Sequence, residues 1–170
     1  KLKGKKLILG SQSPRRKELL ASLDVDFNIF AKELDETYPN GLSNKEVAEY
    51  LANLKSTFFK PKSNEIIITA DTIVCIDKEI LGKPSTKIEA SHMLKKLSDK
   101  THEVITGVSI KSMTNKYTFS DTTSVHFAKL TYDEIDYYID TYKPYDKAGS
   151  YGIQEWIGQI GITKIEGSYF

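Results

Sequence analysis

Apolar positions along this chain fall into short continuous runs separated by stretches of helical spacing, a pattern that predicts alternating strands and helices. Leu7-Ile8-Leu9, bounded by Gly4 and Gly10, predicts a short strand. A tight turn follows, and Ser13 as N-cap with Pro14 at the first helical position predicts a helix over about 14–23. A second strand is expected at 27–31, then a polar loop over 32–42 carrying "ELDETYPNG". Ser43 with Glu46 three residues on forms a capping-box pattern. Val47, Leu51, Leu54 and Phe58 continue from it as an apolar stripe, and Pro61 ends that helix. "EIIITADTIVCID", 65–77, is β-branched and almost continuously apolar, the signal of a central strand.

The second half repeats the alternation. Thr86 with Glu89 opens a helix ending near Leu97. "THEVITGVSI" and "KYTFSDTTSVHF" predict an antiparallel pair around a turn near Thr114-Asn115. Thr131 with Glu134 caps a fourth helix that carries Tyr138 and Ile139 toward its end. The remainder, "KPYDKAGSYGIQEWIGQIGITKIEGSYF", reads as a loop followed by short strands, with its Tyr and Trp side chains in the core. No linker or repeat divides the chain, so a single α/β domain over 1–170, with room for two lobes, is expected. The strand-like ending at Phe170 suggests a further C-terminal segment.

Composition narrows the classes. The 24 basic and 23 acidic residues give a net charge of +1, unlike the basic footprint of a duplex-binding protein, so no nucleic-acid partner is expected. The longest apolar runs are about five residues, short of a membrane span. No leader pattern opens the sequence, and the one cysteine, Cys75, rules out an intramolecular disulfide. A soluble protein of the cytoplasm is the expectation. Cys75, in an apolar strand, reads as an inert buried thiol. His92, His102 and His126 lack metal-ligand spacing and read as structural or surface residues.

Arg15 and Arg16 sit in the first turn of the first predicted helix, where the macrodipole is positive. That placement costs roughly a few tenths of a kcal/mol unless an anion is present. With the backbone N–H groups and the hydroxyls of Ser11 and Ser13, they would suit a phosphate; two solvated arginines on a capped surface helix fit equally well. Asp71 interrupts the apolar strand, and a carboxylate there must be paired, metal-bound or hydrogen-bonded, or else sit at the strand edge. Lys83 in the turn "LGKPS" could hold a phosphate as a point charge, though most loop lysines are solvated. Lys55 lies one position off the apolar stripe, where lysines commonly snorkel. Glu36 could supply a second carboxylate for a divalent metal or simply solubilise its loop. Cations converging on a large anion, with carboxylates for a hard metal, equip a protein for nucleoside triphosphate chemistry. Neither a Walker-type run nor GxGxxG is present.

"SQSPRRKELL", "ADTIV", "LGKP", "LSDKTHEVITGV" and "DKAGSYGIQ" stand in the order and approximate spacing of the Maf family of nucleoside triphosphate pyrophosphatases. The chain resembles that family over residues 5–170, and sequences of Bacteroides-like bacteria in particular through "QEWIG". The resemblance implies an elongated, mixed, twisted sheet flanked by helices, with an active-site cleft between two lobes. It implies kinship with the house-cleaning inosine triphosphate pyrophosphatases and hydrolysis to monophosphate and pyrophosphate with a divalent cation (Mg, Mn or Co). By resemblance Asp71 is the proton acceptor, and Ser11, Arg15, Arg16, Lys55 and Lys83 bind phosphate. Glu36 and Asp71 are the metal carboxylates. Arg15, Thr72 and Gln154 match the branch acting on dTTP and UTP, with CTP or modified pyrimidines as further candidates. The alternatives are a 7-methyl-GTP pyrophosphatase and a nucleotide-binding regulator of septum formation. A homodimer is compatible with the family pattern.

Overall fold

The computed structural model describes every residue except Lys1, Lys3, Glu33 and Asp35; the last two belong to the expected acidic loop. In chain order the elements are β1 (Lys6–Leu9), α1 (Pro14–Ala21), β2 (Phe27–Ile29), α2 (Asn44–Thr57), β3 (Glu65–Ile76) and β4 (Glu79–Leu81). They continue with α3 (Lys87–Leu97), β5 (Thr101–Lys111), β6 (Lys116–Phe127), α4 (Tyr132–Tyr142), a 3₁₀ turn (Ala148–Ser150), α5 (Trp156–Gly161) and β7 (Ile162–Glu166). The strands pair in the order β2-β1-β3-β5-β6-β7, with β4 folded back on β3. β1 runs parallel to both neighbours, with Leu7 opposite Phe27 and Ile66, whereas β4 and β7 pair antiparallel. The sheet is therefore mixed, and β3 is central in it. β5 and β6 are neighbours joined by only 112–115, too short for a parallel crossover, so they form the expected hairpin.

The chain divides into two compact units: 1–71 with 106–121 and Phe170, and 72–105 with 122–169. In the first, α2 lies on the sheet along a seam of small residues. Ala48, Ala52 and Ser56, four apart, are all 1% exposed or less. The expected stripe is thus turned: Val47 and Leu51 are buried, but Phe58 is exposed and Phe59 takes the core place. The helix ends at Thr57, so the helical period no longer fixes which of the next residues points inward. Gly107 explains the close approach, because a Cβ there would lie 2.2 Å from the Ala48 carbonyl oxygen.

Polar bonds fix α2 along its length. Ser43 and Glu46 close the capping box at its start. Ser120 Oγ donates to Glu49 Oε1 (2.7 Å), and Thr69 Oγ1 donates to the Ala52 carbonyl (2.7 Å). Lys111 Nζ, at the end of β5, donates to the carbonyls of Ser56 (3.1 Å) and Phe59 (2.9 Å) and so ties down the C-terminal end of α2. Gly107→Ala should force α2 off this seam and lower the melting temperature by roughly 2–12 °C, the range expected for overpacking a tight contact. An unchanged melting temperature would show that the seam yields freely.

The second unit packs Val74, Ile76, Leu94, Leu97, Phe127 and Tyr138 into one cluster with α3, α4 and α5 around it. Thr131 and Glu134 close a capping box on α4 as expected. On α3 the Thr86 hydroxyl accepts from the Glu89 N–H, but the Glu89 carboxylate turns to the Ser85 N–H and hydroxyl. The tail departs from its expected loop-and-strand reading, for Trp156–Gly161 is helical. Its glycines masked it: Gly158 is required because a Cβ would lie 1.9 Å from the Ile153 oxygen. Tyr151 and Trp156 pack in or on the core, whereas Tyr169 is exposed. His102 is buried against Tyr151, its Nε2 2.6 Å from the phenolic oxygen, and burial pushes its pKa down to about 4. Cys75 is buried in β3, which pushes its thiol up to about 11.

Candidate active site

Asp71 ends the first segment of the first unit and sits in β3 with 7% of its surface exposed. Two cations are brought to it from the preceding helices. Lys55, in the last turn of α2, forms an ion pair and a hydrogen bond with Asp71 Oδ1. The same Nζ lies 2.8 Å from Glu36 Oε1. Lys55 therefore does more than snorkel: it bridges two carboxylates, with 18% of its side chain exposed. That bridge depends on the α2 seam, since the helix must lie close to the sheet for the lysine to reach β3.

Arg16 reaches β3 from the first turn of α1. It donates to the Ala70 carbonyl at 2.8 Å and to Ser11 Oγ at 3.4 Å. Burial lowers its pKa, and the neighbouring Asp71 charge opposes that shift. Ser11 is buried and also accepts from the Ser13 N–H at 3.2 Å. Ser13 occupies the N-cap of α1 as expected, yet its side chain makes no capping hydrogen bond. The Ser11 hydroxyl, two residues upstream, braces the turn instead. Arg15 is exposed, as is Lys17.

The protonation of Asp71 is set by opposing influences. Burial is the largest and pushes its pKa up, Lys55 and then Arg16 act downward, and the Glu36 charge acts upward. The net direction is upward, which favours a carboxylate able to take a proton. Glu36 and Asp71 converge on the Lys55 ammonium, and their hard oxygen donors are of the kind that would suit a divalent metal. No group of three or more His, Cys, Asp or Glu gathers as a metal site among the described residues.

Sequence-predicted residues Ser11, Arg16, Glu36, Lys55 and Asp71 are thus joined in the first unit by a chain of contacts. The Ala70 carbonyl that anchors Arg16 has no mark in the sequence, since a main-chain acceptor leaves no side-chain signal. Thr72, Lys83 and Gln154 belong to the second unit. Thr72 follows Asp71 on β3 and is half-buried. Lys83 is exposed in the turn after β4, beside buried Pro84, and the Gly82 carbonyl there accepts from the Gly149 N–H at 3.0 Å. Gln154 is exposed in the turn before α5.

A buried strand carboxylate paired with a lysine, with an arginine beside it, is an arrangement suited to acid–base chemistry on an anionic substrate, carried on a mixed α/β sheet. The chain belongs to the Maf family, matching over residues 6–170 the family described as Maf-like protein. It is 50% identical over 171 residues to the dTTP/UTP pyrophosphatase of Flavobacterium psychrophilum, covering 99% of this chain and 88% of that protein. It is 51% identical over 174 residues to the dTTP/UTP pyrophosphatase of Porphyromonas gingivalis (strain W83), covering 99% of this chain and 87% of that protein. Among solved structures, the Ham1 protein of Staphylococcus aureus has the same general fold, with a TM-score of 0.51 at 15% identity over 92% of this chain and 91% of that one. No helix among the described residues is long and apolar enough to cross a membrane.

Proposed function

We infer that this chain is a hydrolase, a nucleoside triphosphate pyrophosphatase that cleaves dTTP and UTP to the monophosphate and pyrophosphate. The observation that carries the reading is half-identity over nearly the whole chain to relatives bearing that activity in their names. The Asp71 constellation gives it a physical means. In the proposed reaction Asp71 takes a proton from a water molecule, whose oxygen bonds to the α-phosphorus. The bond from that phosphorus to the bridging oxygen breaks, and pyrophosphate leaves with the electron pair.

Arg15, Arg16, Lys55, Lys83 and Ser11 bind the triphosphate in this reading. Glu36 and Asp71 hold a divalent cation, which would neutralise phosphate charge when bound. Arg15, Thr72 and Gln154 select the base. Gln154 offers an amide donor and acceptor side by side, matching the N3–H donor and O4 acceptor of uracil and thymine. The setting proposed is the cytoplasm.

The test is a panel of canonical and modified nucleotides with magnesium, manganese or cobalt, assayed for pyrophosphate. UTP and dTTP should lead, with some CTP activity and poor use of purine triphosphates. Preference for 7-methyl-GTP would overturn the branch, and binding without turnover would leave a regulator in place of an enzyme. In labelled water the solvent oxygen should enter the monophosphate; its entry into pyrophosphate would exclude attack at the α-phosphorus. Arg16→Ala should weaken every triphosphate about equally, by roughly tenfold or more, since phosphate carries no base information. A change in base ranking would remove Arg16 from the phosphate set.

A further inference from the structure

The Tyr138 hydroxyl is deeply placed and serves neither its own helix nor the core around it. Tyr138 lies on α4 with no exposed surface, stacked on Tyr142 at a centroid distance of 5.2 Å and packed in the apolar cluster of the second unit. A phenylalanine would fill that space equally well, so the hydroxyl needs a separate account. Both of its partners lie on the turn that carries Gln154. The Gly152 N–H donates to it at 3.1 Å, and it donates in turn to Glu155 Oε2. Burial and the Glu155 hydrogen bond both push the phenol pKa up, which keeps it a donor.

Glu155 is also unusual for its position. It is the N-cap residue of α5, yet its side chain makes no cap hydrogen bond. The carboxylate turns to Tyr138 and to Lys147 Nζ, 3.1 Å from its other oxygen. The Glu155 N–H closes the turn onto the Gly152 carbonyl at 3.0 Å. Gly152 is confined as well, since a Cβ there would lie 3.0 Å from Glu155 Cδ and 3.2 Å from Lys147 Cε. The four residues 152–155 are therefore gripped at both ends by one phenol, with Ile153 and Gln154 carried between.

We propose that Tyr138, acting through Gly152 and Glu155, is a positioning residue that fixes the Gln154 turn for recognition of the pyrimidine base. The proposal rests on the dTTP/UTP reading and adds to it a residue that need not touch the nucleotide. Holding an amide in place matters because a base-edge pair discriminates only when both of its hydrogen bonds align. Base binding gained equally in ground and transition states appears in KM, and its loss should leave kcat nearly unchanged.

The experiment compares wild type, Tyr138→Phe and Glu155→Gln, each confirmed as folded by circular dichroism, on UTP, dTTP and GTP. Tyr138→Phe should raise KM for UTP and dTTP on the order of tenfold, as for loss of a hydrogen bond involving a charged partner. Its kcat should stay within about twofold, and kcat/KM for GTP should change by less than about twofold, because poor substrates make little use of the turn. Glu155→Gln can still accept from the phenol but loses the Lys147 pair, so its pyrimidine-to-purine ratio should fall between the other two. Loss of activity equally on all substrates would mark Tyr138 as merely structural and overturn the proposal. If Tyr138→Phe does not fold, an unchanged ratio in Glu155→Gln overturns it. Wild-type preference for UTP with unchanged ratios in the variants defeats this inference alone, whereas wild type without pyrimidine preference defeats the functional reading together with it.

Discussion

Asp71→Asn should hydrolyse UTP at least about a hundredfold more slowly than wild type, the low end of what a lost general base costs, and should melt at a higher temperature. The amide has the shape of the carboxylate and can still accept from Lys55, so the fold and the grip on nucleotide should survive. It cannot take a proton from water, so the chemical step should not.

The stability half follows from the direction of the pKa shift. Burial raises the folded-state pKa of Asp71 above its unfolded value, and Lys55 offsets only part of that. A group shifted this way contributes stability that is present below the unfolded pKa, about 3.9 for aspartate, and lost as pH rises through the folded value. Once pH has risen past the folded value the carboxylate is therefore a net cost that asparagine removes. Scanning calorimetry of metal-free protein should show the variant melting above wild type at pH 7, with the two curves meeting in acid. Near-normal turnover would remove Asp71 from the chemistry. A lower melting temperature at pH 7 would show that pairing with Lys55 outweighs burial.

Legibility in the sequence followed the range of the interaction. Caps are local, and Ser43 with Glu46 and Thr131 with Glu134 close the boxes that their three-residue spacing predicts. β3 declared itself through β-branched residues, and Asp71 was conspicuous as the one charge between Glu65 and Asp77. Lys55 was not legible from periodicity, because its meaning depends on a contact 16 residues away across a helix–strand junction; the family resemblance supplied it. The Ala48–Ala52–Ser56 seam was missed because small residues leave no hydrophobic signal, although Gly107 in "ITGV" is its counterpart. The helix at 156–161 was missed because two of its six residues are glycine, chosen by close contacts with Ile153, Phe127 and Leu130 rather than by helix propensity. Tyr138 was placed only toward the end of its helix, and nothing in that helix reveals that its hydroxyl serves a turn 14 residues on.

Lys55→Met should lose about a hundredfold in turnover, comparable to removing one charged contact from a transition state, and should move the titration of Asp71 upward. Methionine keeps much of the lysine stem's volume, so α2 should stay seated on its seam. Two downward influences on Asp71 vanish with the ammonium, its charge and its hydrogen bond, leaving burial and the Glu36 charge to act with only Arg16 opposing them. Lys55→Arg should not restore activity, because a planar fork cannot occupy the point between two carboxylates in the way a compact ammonium does. Glu36→Gln provides the opposite displacement: it removes a charge that raises the Asp71 pKa and frees Lys55 to act on Asp71 alone. Following the Asp71 carboxyl carbon by NMR in metal-free protein should show titration moving up in Lys55→Met and down in Glu36→Gln. If both variants displaced it in one direction, or neither displaced it, Lys55 would not be the bridge that governs the proton on Asp71.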